Sequence, residues 1–83
     1  METVDIEFLI DTIVRAIVED KDKIEISTVD SESSRIVEIK VCQENGDTGK
    51  VIGRKGRTVD AIRTIVIAAT AVDKKRTIVQ VVD

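Results

Sequence analysis

The sequence predicts an α+β fold in which helices cover one face of a three-stranded sheet, in the order α-β-β-α-α-β. Apolar residues recur at helical spacing in two long segments, and shorter segments alternate apolar and polar residues as strands do. A pair of closely spaced glycines separates two of the predicted helices. With 83 residues and no internal repeat, the chain is expected to form one domain over residues 1–83.

A first helix is predicted over residues 4–19, because its apolar residues lie on one side. Thr3 or Asp5 is expected to cap its first turn. Phe8, the only aromatic residue, points away from the apolar stripe. It is expected to fold back onto the edge of the core, and the alternative is a surface for a partner. The stripe consists of Ile6, Leu9, Ile10, Ile13, Val14 and Ile17.

Two strands are predicted next, over residues 24–28 and 37–41, because apolar and polar residues alternate in both. The polar residues 30–34 form the turn of this hairpin. A final strand over residues 77–82 is indicated by its β-branched residues. Cys42 is the only cysteine, so it forms no intrachain disulfide, and it is expected to be a small half-buried apolar side chain.

Two helices are predicted between the hairpin and the last strand. Asp47 or Thr48 is expected to cap a short one. The longer one is predicted over residues 57–71, with an apolar arc covering about half its circumference. Ile67 lies outside that arc, either as a scattered surface residue or as part of a dimer face. The arc consists of Val59, Ala61, Ile62, Ile65, Val66, Ala68, Ala69 and Val72.

The net charge of −3 is unevenly distributed. Residues 1–49 hold five basic and 13 acidic side chains, or −8, whereas residues 50–76 hold eight basic and two acidic ones, or +6. The acidic average opposes broad coating of nucleic acid, but the basic segment permits a focused contact with phosphates.

The residue types exclude several classes of protein. Without histidine and with one cysteine, the chain has no His/Cys zinc site and no Ser-His or Cys-His nucleophile. No carboxylates form a recognisable catalytic pair, so an enzyme, a cofactor and a small-molecule substrate are not expected. No apolar run approaches the ~18 residues of a membrane span, and the acidic N-terminus argues against a secretory signal. A cytoplasmic protein without membrane association is expected.

The segment that carries the functional prediction is residues 49–58, which contain three glycines and four basic side chains. Gly53 and Gly56 let the chain turn and let a phosphate approach closely. Amide groups at the start of the following helix favour an anion. Arg54 and Lys55 project from the loop, flanked by Lys50 and Arg57, and are expected to meet phosphate oxygens.

The motif Val51-Ile52-Gly53-Arg54-Lys55-Gly56-Arg57-Thr58, between two helices, resembles that of a KH domain, whose loop clamps about four nucleotides. The leading helix and strand resemble the type II arrangement, with one parallel strand pair. The whole chain resembles the small bacterial single-KH RNA-binding proteins, the KhpA or YlqC-like family. The resemblance implies binding of single-stranded RNA through Lys50, Val51, Ile52, Gly53, Arg54, Lys55, Gly56, Arg57 and Thr58.

The resemblance also implies a groove for the bases beside this loop. Its second wall would be the strand over residues 37–41, offering main-chain groups to base edges. Val51 and Ile52 belong either to the floor of this groove or to the core. Val59 and Ile62 would lie nearby, and for Ile62 a place in the core is the preferred interpretation.

The absence of tyrosine and tryptophan predicts modest affinity, because no aromatic platform is available for stacking bases. A second RNA site would raise the effective concentration. The resemblance implies a homodimer, or a heterodimer with a larger KH-containing RNA-binding protein. It also implies an RNA chaperone acting in post-transcriptional regulation, with effects on cell shape, elongation or division. The alternative is a protein-interaction module that dimerises through this fold and binds RNA only incidentally.

Overall fold

Helices cover one face of a three-stranded sheet in the computed structural model, which describes residues 5–82. The order α-β-β-α-α-β is as predicted. The connections contain two single turns of 3-10 helix, Lys21–Lys23 and Arg54–Gly56. The elements are α1 Ile6–Ile17, β1 Glu25–Asp30, β2 Ser34–Lys40, α2 Asp47–Ile52, α3 Arg57–Ala69 and β3 Arg76–Val82.

The sheet has the strand order β1-β2-β3, and it contains the one parallel pair predicted for a type II arrangement. β2 pairs with β1 in antiparallel register and with β3 in parallel register. Because β2 is hydrogen-bonded on both sides, its main chain has no free edge. The prediction that the second strand offers main-chain groups to a ligand is therefore wrong, and β3 is the open edge beside α3.

A single cluster of aliphatic side chains joins the helices to the sheet. Val37 and Ile39 of β2 are fully buried between Ile10 and Val14 of α1 and the side chains of α3. The preferred place of Ile62 in the core is confirmed, since only 2% of its surface is exposed. Cys42 is more deeply buried than expected. Burial of these apolar side chains is the main term that holds the two layers together.

The first helix is shorter than predicted, and its capping is only partly described. Asp5 caps it, since its side chain accepts the amide of Phe8 at 3.1 Å, whereas Thr3 and the predicted start at residue 4 lie outside the described residues. The helix ends at Ile17 rather than at residue 19. The amides of residues 19 and 20 instead point at the carboxylate of Asp47, which draws the chain out of its helical path.

The predicted cap of the short helix is also different. Gly46, with φ of 85°, occupies the capping position of α2 and has no side chain to cap the helix, and Asn45 Oδ1 accepts the amide of Asp47 at 2.9 Å. Asp47 lies inside the first turn, where its carboxylate is fully buried and binds the connection between α1 and β1. Thr48 makes no capping hydrogen bond either.

The apolar surfaces of the long helix and of Phe8 are more exposed than predicted. α3 ends at Ala69, two residues early, and the hydroxyl of Thr70 donates to the carbonyl of Val66 at 2.8 Å. Only part of the predicted arc is buried, because the sheet covers a narrower side of the helix. Phe8 is 64% exposed, so the prediction that it folds back onto the core is wrong. The buried residues of α3 are Val59, Ile62 and Val66.

Candidate nucleic-acid interface

The loop between α2 and α3 depends on backbone conformations that favour glycine. Gly53 ends α2 with φ 78° and ψ 169°, a region that almost only glycine adopts. A Cβ at this position would overlap the side chain of Thr58 and lie 2.7 Å from its backbone nitrogen. Gly56 has φ of 77° and Lys55 has φ of 58°, so the chain makes a left-handed turn before α3. The loop therefore folds back tightly on the start of α3.

Three basic side chains project from this loop into solvent. Arg54, Lys55 and Arg57 are exposed, and none forms a salt bridge with another of residues 5–82. They are therefore free to meet phosphate oxygens, to which charged donors make the stronger hydrogen bonds.

Lys50, the fourth basic residue of the segment, is held differently. Its ammonium lies 2.9 Å from a carboxylate oxygen of Glu19 and 3.5 Å from one of Asp47. The hydrogen bond to Glu19 is the main cause that raises the pKa of Lys50 above its ordinary value. Lys50 is thus tied to the connection after α1, beside the loop, and a phosphate would have to compete with two carboxylates for it.

Some of the amides expected to receive an anion are already used within the loop. The amide of Gly56 donates to the carbonyl of Gly53 at 3.1 Å. The amide of Arg57 donates to the carbonyl of Arg54. The anion-binding capacity of the loop therefore depends mainly on its basic side chains.

The apolar residues of the motif separate into core and surface. Val51 is fully buried, so of its two predicted places it takes the core. Val59 and Ile62 on α3 are buried as well. Ile52 remains 37% exposed and is the apolar side chain of the motif that reaches the surface.

A groove of about 540 Å³ lies between α3 and the open edge of β3. Arg63 and Ile67 line its helical side, and residues 76–80 line the strand side. The Nε of Arg63 donates to the carbonyl of Val79 at 3.1 Å, and its Nη1 lies 2.9 Å from Asp60. The strand wall of this groove is β3, whereas the predicted wall was the strand over residues 37–41.

Arg63 and Ile67, which line this groove, were not among the predicted site residues, although a signal was available. They lie four positions apart on the polar side of the helix, and Ile67 was the apolar exception there. That the last strand is an edge follows only from the strand pairing in the structure. The exposed apolar Ile67 was therefore the available sequence signal for a groove between α3 and β3.

Two further properties of the described residues concern metal binding and membrane spans. Within residues 5–82, no group of three or more His, Cys, Asp or Glu side chains could hold a metal ion. In the same part of the chain, every helix is too short or too polar to cross a bilayer.

Comparison with known proteins gives consistent matches over most of the chain. A family model described as "KhpA/KhpB, KH domain" matches residues 7–81. The chain is 45% identical to RNA-binding protein KhpA of Caldanaerobacter subterraneus subsp. tengcongensis over 74 residues, 89% of this chain and 96% of that protein. It is 42% identical to RNA-binding protein KhpA of Clostridium acetobutylicum over the same shares.

A more distant relative extends this pattern. RNA-binding protein KhpA of Borreliella burgdorferi is 37% identical over 75 residues, which are 90% of this chain and 89% of that protein. No solved structure gives a significant match.

Proposed function

The chain belongs to the KhpA/KhpB family of KH domains, and on this basis we propose that it is a non-catalytic, cytoplasmic RNA-binding protein with a single KH domain over residues 1–83. The relatives that it matches are named RNA-binding proteins. The observation that carries the proposal is the glycine-bounded loop, where Arg54, Lys55 and Arg57 are exposed without acidic partners among the described residues.

In this proposal the loop clamps the backbone of single-stranded RNA over about four nucleotides. Arg54, Lys55 and Arg57 contact the phosphates, and Gly53 and Gly56 let the backbone approach. These contacts hold the strand in place without reading its sequence. The remaining residues of the site act around the clamp: Lys50 as an auxiliary cation, Val51 and Thr58 as supports, and Ile52 as apolar surface.

The bases lie in the groove between α3 and β3. The open edge of β3 carries main-chain donors and acceptors that base edges can meet. Arg63 adds a planar guanidinium on which a base can stack. Ile67, which is 64% exposed, supplies apolar surface beside it. The groove thus provides both kinds of contact that single-stranded RNA recognition uses.

The clamp is tested by replacing both loop cations, Arg54→Asp together with Lys55→Asp. Ultraviolet crosslinking to RNA should be lost, because two attractive contacts become repulsive. Affinity should also depend less on salt. The slope of log affinity against log salt should decrease in magnitude by about 1.4, at ~0.7 per phosphate contact on a single strand. The thermal midpoint should change little, since both side chains are exposed.

The matched control is Lys23→Asp together with Lys40→Asp, which makes the same change in charge beside Glu25 at the start of β1. Crosslinking by this control should persist. If the loop variant crosslinks as strongly as the unmodified protein, the loop is not the RNA site.

A second surface, on α3, supports association with another KH protein. Ala61, Ile65 and Ala68 are exposed and lie on one side of the helix, because they recur at spacings of four and three. Arg63 and Ile67 lie on a different side and line the groove. The expected dimer face is therefore assigned to the side of Ile65, and Ile67 is assigned to the groove.

We propose that this face binds a second copy or a larger KH-containing RNA-binding protein. Two linked RNA sites raise the effective concentration, which offsets the weakness of a clamp without aromatic stacking. The pair would act as an RNA chaperone in post-transcriptional regulation and affect cell shape, elongation or division. The exposed α3 face also supports the alternative function, a protein-interaction module in which RNA binding is incidental.

A further inference from the structure

A second group of basic side chains lies at the far end of the groove from the glycine loop. α3 starts at the loop, and the connection to β3 follows its other end. Lys74 and Arg76 in and after this connection are exposed. Neither forms a salt bridge with another of residues 5–82.

The nearby carboxylates are bound to other cations. Asp73 lies 3.5 Å from Arg35. Asp30 lies 3.3 Å from Lys75, which is thereby held away from other anions. Because these two carboxylates are paired elsewhere, they do not compensate the charges of Lys74 and Arg76.

Glu32 is the remaining acidic residue of the adjoining turn. That turn lies close to the start of β3, since the amide of Arg76 donates to the carbonyl of Ser33 at 3.1 Å. Glu32 is exposed and forms no salt bridge with Lys74 or Arg76. The connection therefore presents two free cations to an incoming anion.

The groove lies along α3 between the two basic groups. Its walls run from Arg63, about two turns into α3 after the loop, to Lys75 and Arg76. A strand that leaves the loop along the open edge of β3 therefore emerges beside Lys74 and Arg76. α3 has 13 residues, which separates the two groups by about 20 Å at a rise of ~1.5 Å per residue.

We propose, on the premise that the chain binds RNA through its glycine loop, that Lys74 and Arg76 form a second phosphate contact that extends the footprint on single-stranded RNA. A KH loop clamps about four nucleotides, and the distal cations lie at the opposite end of α3 from that loop. The structure favours RNA over an acidic protein as the occupant, because Arg76 lines the same groove as Arg63 of α3, the helix that begins at the loop.

The test compares random-sequence RNA of about four nucleotides, the span of a KH loop, with random-sequence RNA of about twice that length. Fluorescence anisotropy measures both affinities for the unmodified protein and for Lys74→Glu combined with Arg76→Glu. The unmodified protein should bind the longer RNA more tightly. The variant should lose on the order of tenfold affinity for the longer RNA, because two phosphate contacts become repulsive, and much less for the shorter one.

The control variant is Lys23→Glu combined with Lys40→Glu, which changes the net charge equally beside Glu25 at the start of β1. It should keep the length dependence. Circular dichroism shows whether each variant folds, and the single Lys74→Glu, outside any strand, repeats the test if the double variant does not.

Three outcomes would overturn the inference. The distal variant could match the unmodified protein at both lengths, it could lose affinity equally at both, or the control could show the same loss. Capture of an acidic peptide by the distal cations without any effect on RNA would assign them to a protein partner instead. Failure of the proposed function is distinct, because the unmodified protein would then bind neither RNA.

Discussion

At the residue scale, Asp47 is the polar side chain on which the local structure depends most. Its fully buried carboxylate accepts the amides of Glu19 at 3.1 Å and Asp20 at 3.0 Å and the side-chain amide of Asn45 at 3.0 Å. Burial alone would raise the pKa of Asp47. Those hydrogen bonds, with Lys50 added, outweigh burial and lower the pKa from 3.8 to about 2. One carboxylate thus fixes the end of α1 against the start of α2.

This shifted pKa predicts a pH dependence of stability. Because the pKa is lower in the folded state, the contribution of Asp47 is fully present above pH 3.8 and is lost as the pH falls towards 2. Urea unfolding followed across this window should show that loss. Asp47→Asn should remove this part of the pH dependence and lower the thermal midpoint at neutral pH by on the order of 10 °C.

The matched control is Asp60→Asn, because Asp60 is exposed and pairs only with Arg63 three positions along α3. It should leave both the midpoint and the pH dependence almost unchanged. An Asp47→Asn variant with the pH profile of the unmodified protein would contradict the assigned role.

At the scale of elements, the connection between α2 and α3 needs its two glycines for different reasons. At Gly56 a side chain would meet nothing within 4 Å, so only the positive φ opposes it. At Gly53 a side chain would also collide with Thr58. Gly53 therefore holds α2 and α3 close together, and Gly56 permits the turn between them.

This difference predicts unequal costs of substitution. Gly56→Ala should destabilise the protein by about 1 kcal/mol, the cost of a left-handed conformation for a residue with a Cβ. Gly53→Ala should destabilise it by clearly more, since Thr58 and the start of α3 must move. Urea unfolding of both variants measures the difference. Equal costs would show that contact with Thr58 does not constrain the loop.

The three sides of α3 explain why its apolar residues have different roles. Val59, Ile62 and Val66 pack on the sheet, Arg63 and Ile67 face the groove, and the side of Ile65 is exposed. The residues of this last side are apolar and uncovered. A helix that packs only on a sheet needs one apolar side. α3 has a second one, as expected of a helix that also contacts a partner.

At the scale of the whole molecule, the uncovered side of α3 predicts a dimer. Ile65→Asp should convert it to monomers in sedimentation velocity, because a carboxylate would be buried in the interface. The fold should persist, since Ile65 is 45% exposed in the single chain. Ile67→Asp is the control: it should stay dimeric and lose RNA affinity. An Ile65→Asp variant that remains dimeric would place the interface elsewhere.

The same variants separate the two proposed functions in cells. If RNA binding is the activity, the variant with Arg54→Asp and Lys55→Asp loses the cellular effect. If dimerisation is the activity, that variant keeps the effect and only Ile65→Asp loses it. Residues 1–49 carry a net charge of −8, which repels nucleic acid. This repulsion confines RNA binding to the basic segment.

The sequence by itself determined the order of the elements and the glycine loop. These follow from local signals: apolar periodicity, turn residues and the left-handed positions that favour glycine. The residues expected to meet phosphate were also visible locally, because Arg54, Lys55 and Arg57 need only be adjacent along the chain.

Only the tertiary structure decided which strand forms the open edge and which side of α3 is covered. Both depend on pairings between residues far apart in sequence, such as Val37 with Val79, which local periodicity does not encode. The same holds for Asp47, whose partners lie 27 and 28 positions away. A carboxylate near a helix start looks like a cap in sequence, and only the packing of α1 on α2 shows that it is a buried anchor.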